Sequence, residues 1–345
     1  MSQKLDSING LVSEVCERIG ALAQACEWPE FESQIGRHLT NTTLPRHVIL
    51  PLASAAAVGG EPRQALSVAV ACAYLIVASR WFDDLQDRDR PESLWIDVGM
   101  GRAVNMAAAA LTVAWRALAE DKELPTEALR AFGRRTVELS HGQELDLRAR
   151  MPSNLDEYWQ VMRAKTGAAV ALGCEVGALS ARPDKPAEAG ICGRFGEYAG
   201  TLLQILDDLD GAFHPDGLGD LRLGKITLPV LYGLVVDHDS RVELAEFIHR
   251  GTLGQHADRV LTILEAIDTR EFLVWCAFEE RRQALDVLQE LAPSENEMAD
   301  RGRQALIAFA DSLMVGWEAL IRQRRQPEFE RFAWRNPQLL SSSAQ

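Results

Sequence analysis

The chain has 345 residues, 47% apolar and 25% charged, with a formal charge of −14 and a pI near 5.0. That balance excludes a disordered chain, and the acidic field excludes nucleic acid and anionic lipid as general partners. An anionic substrate would need bound cations and a few placed Lys or Arg side chains, because a metal ion reverses the local charge of an acidic cleft.

Ala, Leu, Glu and Arg dominate, and apolar residues recur at i, i+3, i+4 and i+7. This pattern predicts an all-α fold, read as a single domain over 1–345 with its core at about 30–325. Helices are expected over 5–26, 47–58, 62–89, 97–120, 125–149, 154–181, 187–213, 226–236, 240–250, 255–290 and 296–325. The first ten residues lack a basic run followed by an apolar one, so no secretory signal is read and a cytoplasmic location is expected. Six scattered cysteines without CxxC spacing read as reduced, mostly buried thiols.

The most apolar stretch, Ala65 to Ser79, is short of the roughly 18 to 20 residues that span a bilayer. It reads as a buried core helix, and no integral membrane association is expected. Breaks are expected at Gly59-Gly60 with Pro62, at Arg90-Pro91, Met151-Pro152 and Arg182-Pro183, and over His214 to Gly224. Asn154, ahead of Asp156 and Glu157, is a candidate N-cap. Trp28, Trp115, Trp159, Trp275 and Trp317 are expected as core anchors, and His141 as a core histidine or one facing a cavity.

At the end of the apolar helix come Trp81-Phe82-Asp83-Asp84-Leu85-Gln86-Asp87. Asp83 and Asp87 are one turn apart, about 6 Å along the axis, with Asp84 beside them. Uncompensated like charges at this spacing destabilise a helix, so a positive partner is expected. Magnesium suits the site, because it prefers carboxylate and phosphate oxygens and takes one or two protein carboxylates plus substrate phosphate. Without such a partner, the cluster would be a solvated acidic helix end.

A second apolar run closes on Gln204-Ile205-Leu206-Asp207-Asp208-Leu209-Asp210, and a Gly-flanked loop follows with Asp220 and Lys225 before Thr227-Leu228-Pro229. Two acidic helix ends and a basic loop suit a diphosphate held between metal ions. No zinc spacing, HExxH, P-loop, GxSxG or Rossmann fingerprint stands in its required context.

These residues resemble the trans-isoprenyl diphosphate synthase (polyprenyl synthetase) family over about residues 40–240. Asp83-Asp84-x-x-Asp87 is similar to its first aspartate-rich motif, and Gln204-x-x-Asp207-Asp208, followed by Asp220-Leu221-x-x-Gly224-Lys225-x-Thr227-Leu228-Pro229, to its second motif and the loop after it. Between them Gly142-Gln143-x-x-Asp146-Leu147 and Lys165-Thr166-Gly167 match two further elements in the expected order. The resemblance implies an isoprenoid synthase type helical bundle around a deep apolar pocket, three magnesium ions with substrate bound, and a homodimer. It also implies metal ligands at Asp83, Asp84, Asp87, Asp207, Asp208 and Asp210. The diphosphate would then be gripped by Lys165 and Lys225 with Arg46, Arg88, Arg90, Gln143 and Gln204. Leu75, Ala78, Ala107, Ala108, Leu111, Val170 and Leu202 are candidate pocket residues.

The chain departs from the family at two places. Where relatives that add isopentenyl diphosphate carry a Gly-Gly-Lys-Arg-x-x-Arg-Pro segment, it reads Thr42-Thr43-Leu44-Pro45-Arg46-His47, and the paired arginines after the first motif reduce to Arg88 and Arg90. The third Asp of the second motif falls at Asp210, where the pattern places it at 211; Asp220 is a candidate substitute. The leading reading is a prenyltransferase that ionises an allylic prenyl diphosphate and condenses it with isopentenyl diphosphate. The alternatives are a terpene cyclase that folds the same cation on itself and a regulatory subunit without turnover.

Overall fold

The computed structural model describes residues 8–39, 44–87, 93–148, 154–213, 219–292 and 296–317. Among them every regular element is helical. In chain order these are α1 (Ile8–Gln24), α2 (Pro29–Leu39), α3 (Leu44–Ala57), α4 (Leu66–Asp87), α5 (Leu94–Val98), α6 (Met100–Ala119), α7 (Thr126–Arg148) and α8 (Leu155–Met162). They continue as α9 (Ala168–Ala181), α10 (Pro186–Phe213), α11 (Gly219–Leu223), α12 (Leu228–Val235), α13 (Arg241–His249), α14 (Ala257–Ala266), α15 (Thr269–Leu288) and α16 (Glu297–Leu313). A 3-10 turn, Pro62–Ala65, leads into α4, and a π turn, Arg163–Gly167, joins α8 to α9.

The chain forms two compact units. The first comprises Met1–Thr136, Ala169–Gly196 and Asp286–Phe309, and the second Val137–Ala168, Glu197–Leu285 and Ala310–Gln345. In the first unit, α4 packs along α6. The contact face of α6 is a stripe of small residues, Ala103, Ala107, Ala110, Ala114 and Ala117, all buried. Alanines at this spacing let two helix backbones approach closely, so the densest packing in the unit needs few large side chains. Tyr74 Oη of α4 donates to the Ile19 carbonyl of α1 at 2.7 Å, which satisfies its one buried polar atom.

The segment Pro62–Asp87 is long and apolar enough to cross a membrane by length and composition, yet 78% of its apolar window is buried against other helices. Its apolarity therefore serves core packing, as the sequence reading expects. All six cysteines are free, four of them buried.

Several elements differ from the expectations. Helix α2 lies where none was expected; Pro29 at its first position, Glu30 and Glu32 in its first turn, and buried Phe31 and Ile35 one turn apart are sufficient local causes. The helix expected over 255–290 is two helices, because Asp268 adopts a left-handed φ of 57° between α14 and α15. Asn154 caps α8 as expected, accepting from the Glu157 amide at 2.8 Å.

None of the five tryptophans expected as core anchors is fully buried, and Trp115 is exposed. Among the described residues the buried tryptophan is Trp81, edge-on to Phe31 at 6.2 Å. His141 is exposed, so it is not a core histidine. Of the candidate pocket residues Leu75, Ala78, Ala107, Val170 and Leu202 are buried, whereas Ala108 is exposed because it sits on the face of α6 turned away from α4.

Candidate active site

In the first unit, α4 runs unbroken through Asp87, so the one-turn spacing of Asp83 and Asp87 holds. Asp83 is half-buried and Asp87 exposed, while Asp84 is buried with 6% of its surface accessible. Trp81, packed on Phe31, fixes the rotation of this last turn. Arg88 and Arg90 lie outside the described residues. Arg46 lies in the first turn of α3, and its side chain is likewise outside them.

In the second unit, four separate stretches of sequence come together. Gly142 of α7 faces the π turn so closely that a Cβ there would overlap the Ala164 carbonyl and stand 2.7 Å from the Lys165 amide nitrogen. That contact brings Asp146, one turn on from Gly142, to Lys165: Nζ donates to the Asp146 carboxylate at 2.6 Å. A π turn inserts one extra residue into a helical turn and commonly marks a functional position. Here it carries both Lys165 and Thr166. Thr166 Oγ1 donates to Gln204 Oε1 at 2.7 Å, and Gln204 Nε2 donates to Asp208 Oδ1 at 2.9 Å. Gln143, adjacent to Gly142, is half-buried.

The three aspartates of the second cluster are placed differently. Asp207 and Asp210 are exposed. Asp208 is buried, 1% accessible, and both of its oxygens accept hydrogen bonds: Oδ1 from Gln204, Oδ2 from Tyr158 Oη at 2.7 Å and from the Leu228 amide at 3.1 Å. It thus joins α8 and α10 and anchors the N-terminus of α12, where a helix favours a carboxylate. Burial pushes the Asp208 carboxyl up to about 7, against the downward pull of its three donors. Burial and the neighbouring Asp208 both push the Tyr158 phenol up, so it stays a neutral donor. Tyr158 carries no signal in the sequence reading, because its partner lies 50 residues away.

The Gly219 to Lys225 loop begins as the short helix α11. Lys225 Nζ stands 3.5 Å from Asp220 Oδ1, and the Lys225 amide donates to the Asp220 carbonyl at 2.9 Å. A Cβ built on Gly211 would meet the Asp220 carboxylate, at 2.8 Å from Cγ. Among the described residues no three His, Cys, Asp or Glu side chains converge to hold a metal by themselves. The donors are carboxylate oxygens on helix ends, a set that suits magnesium with part of its shell left to water and phosphate.

On the outer side of the π turn, Arg163 is 3.7 Å from Glu280, whose 4% accessibility and orphaned Oε2 mark it as a poorly compensated buried carboxyl. Burial raises it from 4.5 to about 7, with Arg163 opposing the shift. A carboxyl raised on folding contributes stability in full below its unfolded value, and loses it as pH rises through the folded one. The Glu280→Gln variant is therefore expected to gain thermal midpoint relative to the parent between pH 5 and pH 8. A constant difference across that window would exclude this reading.

Residues 44–267 match the family model described as Polyprenyl synthetase. The chain is 30% identical over 270 residues to (2E,6E)-farnesyl diphosphate synthase of Mycobacterium tuberculosis, a match covering 73% of this chain and 75% of that protein. It is 29% identical to the short chain isoprenyl diphosphate synthase of Methanothermobacter thermautotrophicus, covering 77% of this chain and 84% of that one. In fold it is similar to geranylgeranyl pyrophosphate synthetase from Pyrococcus horikoshii, with a TM-score of 0.75, 23% identity, and coverage of 89% of this chain and 97% of that one.

Proposed function

Because the chain belongs to the polyprenyl synthetase family and is a prenyltransferase, we propose that it ionises an allylic prenyl diphosphate and joins it to isopentenyl diphosphate with the help of magnesium. The observation that supports this most is the assembly in the second unit, where Thr166, Gln204, Asp208 and Tyr158 form one connected polar network beside exposed Asp207, with the Lys165–Asp146 pair on the same π turn as Thr166.

In the first unit Asp83 and Asp87 on α4 would hold a cation, and in the second unit Asp207 on α10 would hold another. Magnesium, when bound, supplies Lewis-acid stabilisation to the diphosphate as a leaving group. The remaining work belongs to the chain. Lys165 and Lys225 each stand beside a carboxylate, Asp146 and Asp220, which holds the ammonium in place to donate to diphosphate oxygens. Asp208 is enclosed behind exposed Asp207 and ties the end of α10 to α8 and α12, while Asp84 is buried beside half-buried Asp83. Buried apolar residues of α4 such as Leu75 and Ala78 would shelter a carbocation from water. Arg46, Arg88 and Arg90 would serve the isopentenyl diphosphate. The relatives are named as diphosphate synthases, and the cyclase reading gains no support from them.

The homodimer belongs to the same proposal. Ile96, Met100, Val104, Ala108 and Trp115 form an exposed apolar stripe on α5 and α6, larger than isolated surface residues require.

The test incubates the protein with magnesium and C10, C15 or C20 allylic diphosphate, with and without isopentenyl diphosphate, and identifies products by mass spectrometry. A longer diphosphate formed only with isopentenyl diphosphate is expected; hydrocarbon or alcohol released without it would overturn the reading in favour of cyclisation. Sedimentation of the same preparation is expected to show a dimer that Val104→Glu dissociates, and a monomeric parent chain would remove that part of the proposal.

A further inference from the structure

Three helices close on the π turn Arg163–Gly167, by different means. From α7, Gly142 comes so near that a Cβ there would overlap the Ala164 carbonyl; from α10, a Cβ on Gly200 would stand 2.7 Å from Gly167 Cα. These glycine faces set how close the turn lies, but they present no side chain to resist its rotation or a slip of register. From α15 the contact is electrostatic. Glu280 Oε1 is 3.7 Å from Arg163 Nη2, too far for a hydrogen bond, and Trp159 of α8 is a second neighbour. Glu280 is 4% accessible and its Oε2 accepts no hydrogen bond, whereas the Arg163 side chain is 36% exposed. One loosely placed guanidinium does not offset the hydration such a carboxylate loses, so stability does not account for Glu280.

We propose that Glu280 is a positioning residue for the diphosphate site: through Arg163 it holds the register of the π turn, and so sets where Lys165 and Thr166 stand. The inference rests on the diphosphate-binding function proposed above. A π turn carries one residue more than a regular helical turn, and its relaxation to α-helix would rotate the residues after it by about 100°. That rotation would take Lys165 from Asp146 and Thr166 from Gln204, the two contacts that aim the turn at the site. Arg163 is the first residue of the turn, and its attraction to a carboxylate fixed on α15 opposes the rotation at its origin. Because the pair is held by charge and not by a forked hydrogen bond, a lysine at 163 can replace the arginine.

The experiment titrates the full chain with inorganic pyrophosphate in magnesium buffer at pH 8 by calorimetry, and takes the thermal midpoint of each variant. Glu280→Gln and Arg163→Met are each expected to weaken pyrophosphate binding about 10-fold, although their midpoints move in opposite directions. Glu280→Gln removes a buried charge and gains stability; Arg163→Met leaves that charge alone and loses it. Direct Coulomb attraction predicts the reverse for Glu280→Gln, because removing a negative charge favours an anion, so a loss there reports position. Arg163→Lys is expected to stay within about 2-fold of the parent. Unchanged affinity in Glu280→Gln would overturn the proposal, as would affinity that falls only in step with the midpoint, or an Arg163→Lys loss equal to that of Arg163→Met. Should Arg163→Met not fold, Glu280→Gln decides by itself. A parent chain that binds no pyrophosphate and makes no prenyl product would defeat the proposed function; a parent that binds, with Glu280→Gln unaffected, would defeat this inference alone.

Discussion

Asp207→Asn is expected to lower turnover of the allylic diphosphate by about 10³-fold while leaving the thermal midpoint within a degree or two, because the side chain is exposed rather than packed in the core and, on the function proposed, would hold the cation. The adjacent Asp208→Asn is expected to show the opposite balance. Asn offers one acceptor and one donor where Asp208 offers two acceptors to three donors, so its amide nitrogen must face either Gln204 Nε2 or the Tyr158 and Leu228 donors. A donor set against a donor in a buried site costs about 1–3 kcal/mol, visible in the melting curve. Steady-state kinetics and calorimetry on the two variants separate the roles. Equal loss of activity at unchanged stability in both would refute the division between a cation-facing and a structural aspartate.

Gly142→Ala is expected to be the most destabilising single methyl in the second unit. In an exposed helix this change stabilises by up to about 1 kcal/mol, since alanine has the better helix propensity. At 142 the sign reverses, because the added carbon overlaps the Ala164 carbonyl and stands 2.7 Å from the Lys165 amide nitrogen, backbone that cannot rotate away. The two segments must separate, at a cost of about 3 kcal/mol or more. That corresponds to a fall in midpoint on the order of 4 °C or more for a chain of this size. The shift also pulls Lys165 from Asp146, so the KM for the diphosphate should rise. Gly20→Ala in α1, which meets nothing within 4 Å, is the control and should hold or gain stability. A midpoint for Gly142→Ala equal to that of the control would show that the contact carries no load.

The helical class, the two acidic helix ends and the four motifs could be read directly, because each depends on residues within a few turns of one another. The periodicity of α4 and α6, the cap at Asn154 and the Asp83/Asp87 spacing are of this kind. So is α2, whose proline, first-turn acids and apolar pair all lie within one short segment. The break at Asp268 was harder: the surrounding apolar period continues across it, and a single left-handed residue leaves little trace in composition.

The part each aspartate plays was not open to the same reading. Asp207 and Asp208 are adjacent and identical in chemistry, and local spacing treats them alike. What separates them is Tyr158, 50 residues upstream, and the Leu228 amide, 20 residues downstream, which enclose one carboxylate and leave its neighbour exposed. Likewise Gly142 and Asp220 are legible as motif residues, but the close approach of Gly142 to the π turn and of Gly211 to Asp220 exists only once the segments pack. Helix periodicity and clustered charge follow from short-range sterics and Coulomb repulsion, which the order of residues encodes directly. Burial, and with it the choice between a carboxylate that binds a cation and one that binds the protein, follows from which distant segment arrives to displace water, and that is settled when the helices pack.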